Sequence, residues 1–389
     1  MKFTVSLSTF QDLLQKTLPA IPPKSTLPVL EHLHFELESN TLKVIATDQD
    51  ITIMSQIGVS GEIDGKILVP GRRLNEIIRA LGNQGEVHFE ANLENYEIKL
   101  KTQNGHYSMK GLNPNEYLEI PELFESHKPD LEDTDKDSQA FFTKDDINRL
   151  ASKTVFAVSS DEFRPAMTGV LFQFRGDHVN AVSTDSYRLC RAIAQPEEGR
   201  QYPDELDIII PSRSVELLRK PDDDVFMSVI ENNGKITHCR FDIGDTIFIT
   251  RIIDEKFPPY ESVIPQDNDK FVTVERGELL SAIKRVAIFT SNISKQIKLI
   301  LEENKIYLKG KDEEIGTDGD EYIPCEYTGS NMEIGFNYKY LEEALQNIDG
   351  KTEEDKIVMS FSEPTRPSLL KRSKDDENLL MLIMPVRIS

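Results

Sequence analysis

Three stretches of the chain read alike, and their register constrains the fold more than any other feature. Residues 171–191 run LFQFRGDHVNAVSTDSYRLCR, residues 33–50 run LHFELESNTLKVIATDQD, and residues 297–313 run IKLILEENKIYLKGKDE. In each, apolar and polar residues alternate on both sides of a short polar turn, the period expected of half-buried strands in a hairpin. Phe35, Phe172 and Leu299 hold the same place, and thirteen residues after each stands an aspartate: Asp48, Asp185 and Asp312.

Two further anchors keep this register. Residues 67–81 (ILVPGRRLNEIIRAL), 208–220 (IIIPSRSVELLRK) and 333–345 (EIGFNYKYLEEAL) each read as an apolar strand, a stop and an amphipathic helix, with Asn337 where Pro70 and Pro211 stood. Strands at Phe3, Phe141 and Phe271 open the copies, each before a helix carrying apolar residues at spacings of three and four. The unit recurs 137 residues after Phe35, at Phe172, and 127 residues after that, at Leu299. That period is too long for a solenoid of about 20–50 residues and fits a whole domain of about 100–150. The expected organisation is three homologous α+β domains at 1–126, 139–264 and 270–389. The acidic segment ESHKPDLEDTDKDSQ (125–139) and the shorter IPQDNDK (264–270) read as the linkers between them.

The net charge of −22 argues against a protein that coats nucleic acid, yet the charge is unevenly spread. Basic residues recur on the anchor helices: Lys16, Arg72, Arg73, Arg79, Arg149, Lys153, Arg213, Arg219, Lys220, Arg276, Lys284, Arg285 and Lys339. Carboxylates share these helices, and the surplus acid lies in loops. No apolar run approaches a membrane span and the N-terminus lacks a signal-peptide core, so a cytoplasmic protein is expected. The three cysteines are far apart and form no metal motif. Phosphate-binding, zinc-protease and hydrolase motifs are absent from the sequence.

An enzyme reading would gather Asp48, Asp50, Asp161 and Asp185 into a metal site for phosphodiester hydrolysis. Asp48 and Asp185 occupy one position in two domains, however, which separates them in space and makes them turn formers. Residues 361–378 (FSEPTRPSLLKRSKDDEN) are expected to form a long hairpin loop. The apolar end LLMLIMPVRIS should dock in the core as a strand until Pro385 takes it out of the ladder, leaving Met384, Pro385 and Val386 partly exposed as a contact site.

The start MKFTV, TLPVL at 26–30, ATD at 46–48, VPGRR at 69–73, TDSYRL at 184–189, KFPPY at 256–260, MEIGFN at 332–337 and MPVR at 384–387 together resemble the bacterial DNA polymerase III β subunit, the sliding clamp, along the whole chain and in order. The resemblance implies three DNA-clamp domains, each a pair of βαβββ units, closing into a ring when two chains dimerise. It implies a processivity factor without catalytic residues, metal or cofactor, which encircles duplex DNA regardless of sequence. Its partners would be a replicative polymerase, a clamp loader and repair proteins, bound through short linear motifs, with no membrane partner.

Residue by residue, the resemblance implies that Lys24, Arg72, Arg73, Arg164 and Arg213 face DNA. It implies a partner-peptide pocket of Met167, Thr184, Ser186, Tyr187, Arg188, Leu189, Pro258, Val263, Leu382, Met384, Pro385 and Val386. Tyr107 and Met109 would meet Ile288 and Phe289 across the dimer interface. The chain departs from the family pattern at Pro165 and Ala166, where aromatic residues are usual. It departs again at Ser212, where a basic pair is reduced to one, and at Ser186 and Tyr187, where glycine and histidine are frequent. A ring that bound proteins but not DNA would keep the pocket and lose the basic helices.

Overall fold

The computed structural model describes residues 1–22, 24–118, 138–348, 355–373 and 376–388. Among them are six α-helices: α1 (Leu7–Thr17), α2 (Gly71–Leu81), α3 (Lys144–Thr154), α4 (Ser212–Leu217), α5 (Arg276–Ala287) and α6 (Tyr338–Asn347). Each follows one strand and precedes a run of three, except that α1 precedes four because Ser60–Ile63 continues past Ile51–Gly58 as a separate strand, so the described residues form six βαβββ units, two in each third. The hairpin registers confirm the sequence repeat: Phe35 pairs with Val44, Phe172 with Ala181 and Leu299 with Leu308.

The repeated aspartates have one task. Asp48 Oδ1 accepts from the backbone N–H groups of Asp50 (3.1 Å) and Ile51 (2.7 Å), and Asp185 Oδ1 from those of Tyr187 (2.9 Å) and Arg188 (3.0 Å). Asp312 Oδ1 accepts from Glu314 N–H at 3.0 Å. These are turn-forming carboxylates. Asn337 replaces the two prolines by another device: its side chain accepts from Lys339 N–H at 3.0 Å and caps α6.

Two expectations are corrected. The helix expected across 208–220 stops at Leu217, so Arg219 and Lys220 lie beyond it. Lys220 takes φ 54°, and Pro221 follows; the residue before a proline is driven out of the helical region. The polar excursion 361–378 is not a simple loop. Ser368–Lys371 is a strand, paired on one side with Lys356–Phe361 and on the other with Leu379–Ile383. It is the middle strand of the sixth unit, buried at Ser368, Leu369 and Leu370. The terminal strand behaves as expected: Leu379–Ile383 is buried throughout, and Met384, Pro385 and Val386 are half-buried.

The chain divides into two compact units, 1–144 with 220–252 and 145–219 with 253–389. In the first, Phe3 stacks on Phe89 at 4.8 Å between ring centres and Phe35 on Phe89 at 5.7 Å, all three fully buried beside α1 and each stabilising by about 2–3 kcal/mol on burial. Gly71 lets α2 pack there, since a Cβ would fall 2.3 Å from Ile21 Cδ1. With Gly71, Leu74 and Ile78 buried, Arg72, Arg73 and Arg79 are left exposed.

Each unit contains one eight-stranded sheet in which the three-strand runs of two βαβββ units meet edge to edge, each run flanked by the first strand of its sister unit. In the first, Ile51–Gly58 pairs with Thr246–Arg251; in the second, Arg188–Ala194 pairs with Leu379–Ile383. Both seams join the last strand of a third's first βαβββ unit to the last strand of a neighbouring third's second. The two strands that would continue this rule, His106–Lys110 and Thr317–Pro324, end the smaller sheets as edges.

Candidate functional site

The second unit builds its site around the loop after Val179–Thr184. Besides the Asp185 turn, Thr184 Oγ1 donates to Arg188 O at 2.7 Å and accepts from Ser186 N–H at 3.1 Å. Closing the loop this tightly sends Ser186 to φ 77°, a region where glycine has no steric cost. Tyr187 is left 58% exposed at the tip.

The tail supplies the next wall. Leu189 pairs with Leu382, and Met384 N–H donates to Tyr187 O at 2.8 Å. Val386 N–H then donates to Gly335 O at 2.8 Å, which fixes the course of the chain past Pro385. Beneath lies one apolar cluster that includes Leu171, Leu189, Phe257, Tyr260 and Leu382, with Met384 packed against it. Burial pushes the Tyr260 phenol above its ordinary range, and its hydroxyl is 2.8 Å from Gln173 Oε1. Pro258 and Val263 lie on the segment that Phe257 and Tyr260 anchor; Val263 is half-exposed. Met167 Sδ lies 3.6 Å from Ser186 Oγ.

The twelve expected pocket residues therefore separate by role. Thr184, Leu189 and Leu382 are buried, whereas Met167, Tyr187, Val263, Met384, Pro385 and Val386 present accessible surface. Arg188 is turned inward. Its Nε meets Asp185 at 3.1 Å, another nitrogen pairs with Glu343, and a third donates to Phe156 O at 2.7 Å. Phe156, Tyr340 and Glu343 were missed in the sequence. Tyr340 and Glu343 belong to a Tyr-Leu-Glu-Glu run within α6, Phe156 lies just after α3, and the pairing of Glu343 with Arg188 spans 155 positions.

Of the expected DNA-facing residues, Lys24 is exposed. Arg72 donates to Ile21 O (3.3 Å) and Pro22 O (2.9 Å), bracing the loop that leads toward Lys24. Arg73 is exposed and pairs with Glu76 at 3.2 Å. Arg213 is exposed on α4. Arg164 Nε meets Asp161 at 2.8 Å, and another of its nitrogens donates to Ser186 Oγ at 2.7 Å. The hydrogen bond from Arg164 Nε holds the Asp161 carboxyl below its usual range. One residue earlier, Phe163 is 97% exposed, which nothing in the alternation of its neighbours announces.

The expected interface residues sit at the two free edges. Tyr107 and Met109 lie on His106–Lys110. Ile288, 76% exposed, and Phe289 follow α5, and Phe289 packs on the other edge at Gly319, where a Cβ would fall 2.5 Å from its ring.

Among the described residues no group of three or more histidines, cysteines, aspartates or glutamates is placed to hold a metal ion. Asp48 and Asp185 are engaged in their own turns, and Asp161 in its pair with Arg164. The accessible groups are apolar anchors on a hydrogen-bonded frame, chemistry suited to holding a peptide. Three family models match the chain in order: the N-terminal, central and C-terminal domains of the DNA polymerase III β subunit, over residues 1–121, 142–259 and 261–387.

The chain belongs to the DNA polymerase III β-subunit family.

A relative in Vibrio cholerae named beta sliding clamp is 26% identical over 393 residues and covers all of both chains. The solved DNA polymerase sliding clamp of Bacillus subtilis is 27% identical with a TM-score of 0.85, covering all of both chains. A Pseudomonas aeruginosa sliding clamp solved with griselimycin bound shares the fold, at 24% identity, full coverage of both chains and a TM-score of 0.87. Like its relatives, the chain is a sliding clamp, an accessory subunit of the polymerase and not its catalyst. Among the described residues no helix is long and apolar enough to cross a membrane.

Proposed function

We propose that two copies of this chain close head to tail into a ring around duplex DNA in the cytoplasm. There the ring tethers a replicative polymerase, a clamp loader and repair proteins through short peptide motifs. The ordered match of three β-subunit domains carries this reading. Enclosure replaces affinity, so a partner held in the pocket stays at high effective concentration near its template.

The proposed domains of each copy are 1–126, 139–264 and 270–389. Ring closure is supported by the sheet rule: both seams within the chain join equivalent strands, and the strands that would form the third are the free edges. Their charges complement one another, with Lys110 on one and Asp318 and Asp320 on the other. Tyr107, Met109, Ile288 and Phe289 are the apolar contacts proposed for that seam. Lys24, Arg72, Arg73, Arg164 and Arg213 are the proposed DNA-facing cations, diluted by carboxylates so that the grip on phosphate is weak enough for sliding. Met167, Tyr187, Pro258, Val263, Met384, Pro385 and Val386 are the proposed peptide contacts, over Thr184, Leu189 and Leu382. Ser186 and Arg188 hold the loop.

The test is retention on nicked circular DNA before and after the circle is cut, with the cognate loader present and active. Retention on the circle and loss on linearisation is expected. Equal retention on both would mean ordinary electrostatic binding, and none on either would mean a protein-only scaffold.

A further inference from the structure

A cavity of about 500 Å³ opens in the second unit beside the chain that follows Val263. Leu369 and Leu380 are its buried floor, with Arg191 and Lys371 half-buried beside them. Ile264 and Phe271 flank it, and Glu261 and Glu377 stand exposed at its rim. Among the described residues neither cation has an ion-pair partner, and Arg191 Nε is buried without a hydrogen bond. In a chain with a net charge of −22, two adjacent cations without carboxylate partners are unusual.

The cavity adjoins the peptide pocket along the same two strands. Leu189 pairs with Leu382, and two residues along the strand Arg191 pairs with Leu380. Residues two apart on a strand share a face, so these are neighbouring rungs about 7 Å apart. Leu369 ties them together: it pairs with Leu382, lies in the apolar cluster under the pocket and lines the cavity.

We propose that this cavity is a second subsite of the peptide pocket, which takes one glutamate side chain of the bound segment, about two to four residues from its apolar anchor. The proposal rests on the peptide-pocket reading above. A carboxylate reaching the floor would pair with Arg191 and Lys371, while its methylene stem packs on Phe271, which is 39% exposed. Glu261 and Glu377 at the rim repel a run of acidic residues, so the subsite selects a single carboxylate over an acidic tail.

The test uses the full chain and labelled peptides whose only apolar residues are an adjacent Leu-Phe pair. Glutamate, or glutamine as its neutral isostere, is placed at each position two to four residues to either side, and affinity is read by fluorescence anisotropy. The expected result is that glutamate on one flank binds about tenfold tighter than glutamine at the same position. Lys371→Gln and Arg191→Gln should each remove most of that gain and leave the glutamine peptide unchanged. Lys371 is the safer site should the half-buried Arg191 prove needed for folding. Equal affinity of the glutamate and glutamine peptides at every position would overturn the subsite and leave the pocket standing. Failure of every peptide to bind would overturn both.

Discussion

The Arg188 guanidinium carbon lies 4.8 Å from the centre of the Tyr340 ring and 5.3 Å from that of Phe156. The side chain is 11% exposed, and its ion pairs with Asp185 and Glu343 tie the pocket loop to α6. Tyr187 stacks on the other end of this assembly, its ring centre 6.2 Å from that of Tyr340. A planar, forked cation suits such a position, because it bonds at its edge while its face rests on a ring.

Arg188→Lys keeps the charge and loses the fork. It should destabilise the protein by about 1.5–3 kcal/mol, the range for hydrogen bonds to charged groups, and weaken peptide binding through a looser Tyr187. Denaturant midpoints and peptide anisotropy on one preparation check this. Unchanged stability would mean that the contacts around Arg188 contribute nothing net.

Ser186 offers an opposite case. Its φ of 77° costs a residue with a Cβ about 1 kcal/mol, and glycine nothing. Its hydroxyl recovers part through Arg164 and Met167. Ser186→Gly should therefore change stability by no more than about 1 kcal/mol. Ser186→Val, β-branched and without the hydroxyl, should lose about 2 kcal/mol or more. If thermal unfolding ranks valine level with glycine, the backbone constraint is not what the geometry implies.

Much of this was legible in the sequence, and the reasons are local. Asp48, Asp185 and Asp312 act within their own turns, so a shared register sufficed to read them as turn formers. The second βαβββ unit of each third was harder to read. Its strands, such as Glu86–Ala91 and Lys356–Phe361, carry no repeated turn residue, and Ser368–Lys371 is four residues between proline and charge. The inward turn of Arg188 depends on Glu343, far away in the chain, and no periodicity reports such a partner.

The first unit concentrates three histidines whose pKa values lie below the ordinary 6.5: His32 and His34 through burial, and His238 through burial and then Arg251. A depressed histidine pKa means the unfolded chain binds the proton more readily than the folded one. Stability therefore rises with pH through this range and is lost as pH falls below about 6.5, by at most about 1.4 kcal/mol per pH unit for each histidine. His34 is 5% exposed, its Nδ1 lacks a protein partner, and its ring lies 5.6 Å from Tyr117. His34→Phe keeps a ring there without the titrating group. Chemical unfolding at pH 7.5 and 5.5 should show a smaller loss in the variant than in the parent. An equal loss would assign the pH dependence to other groups.

The proposed seam can be broken without touching the core. Ile288 is 76% exposed beside Phe289, which packs on the edge strand Thr317–Pro324. An aspartate there would set a charge against the apolar contact proposed for Tyr107 and Met109, next to an edge already acidic at Asp318 and Asp320. Burying an unpaired charge in an interface costs several kcal/mol, whereas an exposed substitution changes the stability of one chain by about 0.5 kcal/mol or less. Ile288→Asp should therefore leave a folded chain of 44.3 kDa where the parent gives twice that mass in light scattering. It should also abolish retention on circular DNA, while the peptide pocket, built wholly within the second unit, binds as before. A variant that stayed dimeric would place the contact elsewhere. A parent that was monomeric at micromolar concentration would mean that the two free edges do not join in solution.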